Sequence, residues 1–227
     1  TFYQTPEGYL QVLAKLYAGL ALTGQQGPAG NADIQGIDEG FSSYLRQYWN
    51  LQELPTDEAI CAWNDDGIPE LNFTTWTSSN PFVRGMYYRI YYQLTLANEF
   101  IRESSDKRLE ERGFDTQEIE KIRIYRAEAR FLRALSYWHV LDLFSDTPFV
   151  TENDLIGAFL PEPISRVDLF NYIEEELVEI EDLLLPARSN QYGRADQGAA
   201  WTLLAKLYLN AKIYTGAEKY TECITYC

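Results

Sequence analysis

The sequence predicts an all-α fold in which paired helices carry long irregular loops, and three observations point to it. The first is the stretch from Asp115 to Asp146. It opens on Asp115 with Glu118 three places on, the spacing at which each side chain satisfies a backbone N–H left free by the first helical turn. Ile122, Tyr125, Ala129, Leu132 and Leu135 then recur every three or four residues and line one face of a helix. Second, from Phe131 onward Tyr137, Trp138, Val140, Leu141, Leu143 and Phe144 point all ways round the cylinder, so other helices must cover it on every side. The third is the spacing of Trp201, Leu204, Ala205 and Tyr208, which fits the W-x2-L-G-x2-Y pattern of a tetratricopeptide helix pair with Ala in place of Gly.

In chain order, Thr5-Pro6-Glu7 is a helix entry: a hydroxyl cap, proline at the first helical position and an acid at the positive end. Tyr9, Val12, Leu13, Leu16, Tyr17 and Leu20 form the apolar stripe, and Gly24 suits a left-handed exit. From Gly24 to Asn50 the period is lost among glycines at 24, 27, 30, 36 and 40, which predicts a long surface loop of the kind that tends to be functional. Thr56, with Asp57 and Glu58 in the first turn, is expected to cap a short helix through Trp63 and Asn64 that Gly67-Ile68-Pro69 ends.

Asn80-Pro81 starts a long helix with Val83, Tyr87, Ile90, Leu94, Ala97 and Ile101 at helical spacing. A charged, helix-poor link from Ser104 to Gly113 leads into the central helix. Pro148, Pro161 and Pro163 bound the next segment, where residues 149–159 suit a short extended piece. Ser165 caps a helix whose Phe170, Ile173, Leu177, Ile180 and Leu184 form a stripe ending before Pro186. A helix from Asp196 to Tyr214 carries the tetratricopeptide spacing. Ala217 falls where the partner helix wants a small residue, while Thr221 replaces the usual aromatic. The partner helix meets Cys227 after about three turns with no terminating glycine, so truncation at the C-terminus is expected.

Composition narrows the function. A hydrophobic fraction of 46% with 17 tyrosines and 5 tryptophans places the 227-residue chain well outside disorder. A net charge of -15 argues against nucleic acid, whose phosphates need clustered Lys and Arg. Glu174, Glu175, Glu176, Glu179, Glu181 and Asp182 read as one solvated helix face. No apolar run approaches the roughly 18 residues that span a bilayer. Cys61, Cys223 and Cys227 form no CxxC pair, and one histidine cannot complete a common zinc site, so neither metal nor cofactor is expected. Asp57 with Glu58, or Asp65 with Asp66, are adjacent acids that do not face each other across a scissile bond. His139 has no serine or cysteine motif around it and reads as a core histidine. No catalysis is expected.

Acids, an arginine, aromatics and amides concentrate in residues 36–66. A neutral sugar presents a C–H face that packs on an indole and a hydroxyl rim that needs charged or amide partners, and Trp63 with Asn64, Asp65 and Asp66 supplies both. From residue type alone, Trp63 is either a core anchor or such a platform.

Three runs carry a family resemblance. AEARFLRALSYWHVLDLFSDTPFV (127–150), NLQELPTDEAICAWNDDGIPEL (50–71) and GRADQGAAWTLLAKLYLNAKIYTG (193–216) resemble, in the same order, motifs of the SusD/RagB family of outer-membrane nutrient-binding lipoproteins. The resemblance implies that residues 1–227 are the N-terminal half of such a domain. Residues 24–80 would be a loop-rich glycan-binding region and residues 115–227 a helical-repeat scaffold. It assigns glycan contacts to Asp38 in IDEG, Arg46 in YLRQYWN, Trp63 in AWNDD, and Asn64 or Asp66. Cys61 stands where the family's starch-binding prototype has a second tryptophan, which puts the same sugar specificity in question.

The implied function is capture of oligosaccharides, starch-like α-glucans among them, and delivery to a SusC-like TonB-dependent transporter. The implied location is the cell outer membrane, on a surface-exposed lipoprotein tethered by a lipidated cysteine upstream of Thr1. Two rival expectations are a helical-repeat scaffold that binds only protein and a helical-barrel glycosidase.

Overall fold

The computed structural model describes residues 2–26, 31–35, 38–157 and 159–227; Gly27, Gly30 and Gly36 of the first loop lie outside them. In chain order the described elements are α1 (Pro6–Ala21), α2 (Tyr44–Glu53), α3 (Ile68–Asn72), α4 (Pro81–Glu103), α5 (Asp106–Glu111), α6 (Thr116–Phe144), β1 (Thr147–Pro148), β2 (Pro163–Ile164), α7 (Arg166–Glu181), α8 (Gln197–Leu209), α9 (Ala211–Thr215) and α10 (Tyr220–Thr225). The fold is all-α, with one antiparallel β1–β2 pair; the extended piece expected within residues 149–159 is not there among the described residues, the two short strands lying on either side of that segment.

Helices start where their caps predict. Thr5 Oγ1 accepts from Gly8 N at 3.1 Å. Asn80 Oδ1 accepts from Phe82 N at 2.9 Å and Val83 N at 3.3 Å. The α6 capping box closes in both directions, Asp115 Oδ1 accepting from Glu118 N at 2.9 Å and Glu118 Oε2 from Asp115 N at 3.0 Å. Ser165 and Asp196 cap α7 and α8 in one direction, their side chains accepting from Asp168 N and Ala199 N.

Five local expectations are corrected. The loop expected to run to Asn50 already holds α2, which buries the polar Gln47 and Asn50 beside Tyr44 while Leu45 and Trp49 face out, so it shows no clean apolar stripe. Thr56 opens no helix: its Oγ1 donates to Glu53 O at 2.7 Å and accepts from Glu58 N at 3.1 Å, a local turn that competes with capping. The Ser104–Gly113 link contains α5, organised by the fully buried Leu109. Gly24 does not adopt a positive φ; it forms a bridge with Ala32, and a Cβ there would meet Asn31 O at 2.1 Å. The helix expected over 196–214 breaks at Asn210 into α8 and α9, and α10 starts at Tyr220, after Ala217.

The chain divides into two compact units, one of residues up to Leu16 with Leu94–Cys227, the other Tyr17–Gln93. In the first, α6 packs on α7, α7 on α8 and α8 on α10, the successive pairing of a tetratricopeptide-like scaffold. Its Ile122, Leu132, Tyr137, Val140 and Leu141 are buried, facing a core shared with Leu169, Phe170, Ile173 and Leu177. Ala205 is small enough that Cys223 Sγ reaches its carbonyl at 3.3 Å across α8 and α10.

The acids of α7 do not form one solvated face. Glu175, Glu179 and Asp182 are exposed, but Glu176 is buried and bonds Arg130 Nε at 2.7 Å and Arg133 Nη2 at 2.8 Å. Glu174 pairs with Lys219 at 2.6 Å. Glu128 on α6, fully buried, is gripped by Arg194. His139 is buried against Trp138.

The second unit is built on Leu54, Ile68, Leu71 and Phe82, with Phe41, Leu51 and Cys61 packed against them. Buried Arg89 organises the loop before α2: its Nε donates to Ser42 O at 2.6 Å, Nη2 to Ser42 Oγ at 3.2 Å and Nη1 to Thr23 O at 3.3 Å. Burial pulls the Arg89 pKa below its ordinary value, so these carbonyl dipoles compensate a desolvated charge. Tyr92 OH donates to Asp33 Oδ1 at 3.1 Å and holds the same loop further back. Among the described residues no helix is long and apolar enough to cross a membrane, and no group of acids, cysteines and histidine could hold a metal ion.

Candidate functional site

All five sequence-predicted residues lie in the Tyr17–Gln93 unit and all are exposed. Trp63, Asn64 and Asp66 sit on the irregular stretch between the turn after α2 and the start of α3, which has no ladder of its own. Two side-chain amides pin its ends. Asn72 accepts from Cys61 N at 3.3 Å and donates to Cys61 O at 2.8 Å, a two-point grip like that of a neighbouring strand. Asn80 Nδ2 donates to Gly67 O at 2.9 Å, and Ile68 N closes a turn onto Asp65 O at 3.1 Å. Gly67 must be glycine, because its φ is +93° and a Cβ would lie 2.8 Å from Pro81 Cδ and 2.9 Å from Asn80 Nδ2. Asn72→Ala is expected to cost about 1–2 kcal/mol. It should also raise protease susceptibility between Ala59 and Asp66 with unchanged helix content, measured by limited proteolysis and circular dichroism.

Trp63 is 59% exposed, so the indole is not a core anchor. The Arg46 guanidinium lies over the ring, 5.6 Å from its centroid. Arg46 is aimed by its Nη1, which donates to Gly40 O at 3.0 Å, and Gly40 N donates to Asp38 Oδ1 at 2.6 Å. A continuous path of contacts therefore runs Trp63, Arg46, Gly40, Asp38.

Asp38 ends that path at a hollow of about 720 Å³, whose walls also include Asp65, Asp66, Phe41, Arg84 and Tyr88. Its volume falls in the range of small-molecule sites. Asp38 and Asp66 therefore face the hollow, whereas Arg46, Trp63 and Asn64 lie outside its lining. The Phe41 ring is stacked on Phe82 at 5.2 Å, which ties that wall to the core of the unit. Arg84 and Tyr88 are one turn apart on α4, with the guanidinium 6.0 Å from the phenol ring centroid. Sequence reasoning missed both. Their separation of four residues outside the apolar stripe was the available signal, but their meeting with Asp38 depends on Arg89 fastening the loop. The whole arrangement supplies a flat aromatic surface, hydrogen-bond donors and carboxylate acceptors, and among the described residues no assembled nucleophile and base.

No family model matches the chain. The starch-binding protein SusD of Bacteroides thetaiotaomicron is 40% identical over 216 residues, 95% of this chain and 37% of that protein. The crystal structure of a SusD superfamily protein from Bacteroides vulgatus superposes with a TM-score of 0.72 at 21% identity, covering 100% of this chain and 43% of that one. A laminarin-binding SusD-like protein superposes with a TM-score of 0.68 at 19% identity, over 97% of this chain and 42% of that one. The chain thus spans less than half the length of these relatives. By the 40% identity along nearly all its residues, and the helical scaffold it shares with the solved structures, this chain is a SusD-like family protein.

Proposed function

We propose that this chain forms a glycan-capturing surface of an outer-membrane, surface-exposed lipoprotein that hands oligosaccharides to a SusC-like TonB-dependent transporter. The observation that carries the reading is the exposed indole of Trp63, with Arg46 over the ring and a link through Gly40 to Asp38 at the hollow. A sugar ring packs its C–H face on the exposed indole of Trp63 while its hydroxyls bond Arg46, Asp38 and either Asn64 or Asp66. Charge-assisted bonds to hydroxyls orient the ring, and a site open to solvent on this scale gives modest affinity. The names of the relatives, one starch-binding and one laminarin-binding, support a glucan as the ligand class. The sugar is bound and released without bond cleavage.

The test is affinity electrophoresis of the whole protein through gels containing amylopectin, laminarin or other glucans. Retention by at least one glucan is expected, and Trp63→Ala should abolish it with unchanged helix content. Unaltered migration of the variant would remove Trp63 from the site. A protein-only scaffold instead predicts that no glycan raises the thermal midpoint, whereas a bound ligand raises it by mass action.

A further inference from the structure

We infer that the hollow between the first turns of α4 and the Asp65-Asp66 turn is a second sugar subsite, which holds one uncharged ring of the same glycan chain seated on Trp63. The inference rests on the glycan-binding reading and extends it to residues outside the platform. Three features of the hollow carry it.

The first is continuity. Asp38 belongs both to the lining of the hollow and to the Trp63–Arg46–Gly40–Asp38 path, so the contacts around the indole and the walls of the hollow share one carboxylate. The second is donor and acceptor supply. Arg84 is exposed and held by no ion pair among the described residues, so its guanidinium keeps its donors for a ligand and packs only along the Tyr88 ring. Asp65 and Asp66 add carboxylate acceptors to the same lining, and Asp38 has one carboxylate oxygen engaged by Gly40 N. A guanidinium and carboxylates lining one hollow fit vicinal hydroxyls, which donate to the carboxylates and accept from the guanidinium. Tyr88, 42% exposed, and Phe41 supply the flat apolar walls for a ring.

The third is sign. Three carboxylates against one guanidinium give the lining a net negative field, which opposes a uronate or sulfated sugar and leaves an uncharged ring unpenalised. A pocket-like cluster of arginines elsewhere, formed by Arg102, Arg126 and Arg130, does not compete as an anion site. There each guanidinium is already bonded to a carboxylate, at 2.7, 3.0 and 2.7 Å.

The test titrates maltotriose, maltoheptaose, laminaritriose and laminariheptaose calorimetrically against the whole protein and against Trp63→Ala, Arg84→Ala and Tyr88→Ala. Arg84 and Tyr88 are exposed helix positions where alanine is a good helix former, so folded variants are expected and are checked by circular dichroism. For the glucan that binds, wild type should prefer the heptasaccharide. In Arg84→Ala and Tyr88→Ala, the ratio of trisaccharide to heptasaccharide Kd should fall about tenfold. An unchanged ratio in both variants overturns the subsite while leaving the platform intact. Unchanged affinities in Trp63→Ala instead remove the indole from the site, and with it the first subsite to which the hollow is joined; a wild type that binds none of the four overturns the glycan reading itself. A heptamer of galacturonate should bind at least about tenfold more weakly than the neutral heptamer; equal affinity overturns the selection for an uncharged ring.

Discussion

Replacing Arg133 by leucine is expected to lower the unfolding free energy by about 3–5 kcal/mol and the thermal midpoint by about 10 °C. The guanidinium is 2% exposed and lies at the centre of a polar knot inside an apolar scaffold. Its Nη1 donates to Asn98 Oδ1 at 3.0 Å and to Glu152, and its Nη2 donates to Glu176 Oε1 at 2.8 Å. Desolvation acts against the cation, but Tyr172, Glu176 and Glu152 outweigh it and hold the pKa above the ordinary arginine value. Leucine fills much of the volume yet leaves Glu176 with Arg130 alone and deprives Asn98 and Glu152 of their donor. The cost arises from those stranded acceptors and not from the lost pair as such. A double variant, Arg133→Leu with Glu176→Leu, should therefore recover part of the loss. Chemical denaturation checks both; a single-variant loss under about 1 kcal/mol would show that the knot is dispensable.

Acidification should weaken the protein well before its carboxylates protonate. His139 is 4% exposed, and burial, reinforced by the nearby Lys206 charge, pushes its pKa from 6.5 down to about 3. The folded state refuses a proton that the unfolded state accepts, so this contribution is complete above pH 6.5 and is lost as pH falls toward 3. Glu176 and Asp106 also have depressed pKa values, held down by Arg130 and Arg133 and by Arg123 and Arg126, but their contributions are lost only below about pH 4.5. Between pH 6.5 and 4.5 the histidine alone should remove about 2–3 kcal/mol, near 1.4 kcal/mol per unit. Urea unfolding of wild type and His139→Gln across that window tests it. The exposed carboxylates titrate alike in both proteins, so a wild-type slope no steeper than the variant's would place an imidazolium comfortably in the core.

The parts of this fold legible in the sequence are those whose cause lies within a few residues. The α6 start needed only Asp115 and Glu118, and the α4 start only Asn80 and Pro81. What was hidden depended on distant partners. Glu176 looked like its exposed neighbours because Arg130 and Arg133, which bury it, are 46 and 43 residues away. Helix α2 was unreadable because it buries Gln47, whose Nε2 donates to Phe41 O at 3.0 Å, and exposes Trp49. In the candidate site, residue type and family motif led to Asp38, Arg46, Trp63, Asn64 and Asp66. The hollow itself was not readable, since Arg84 and Tyr88 acquire Asp38 as a neighbour only once Arg89 ties down a loop more than 40 residues upstream.

The amides of Asn72 and Asn80 that pin the stretch carrying Trp63 end on main-chain atoms of Cys61 and Gly67, and such anchors are blind to the side chains between them. Ala62 through Asp66 thus behave as an exchangeable cassette. New aromatic, amide or acidic residues can be written into those five positions at little cost to the helices beneath, which gives evolution, or a designer, a route to new ligands on an unaltered frame.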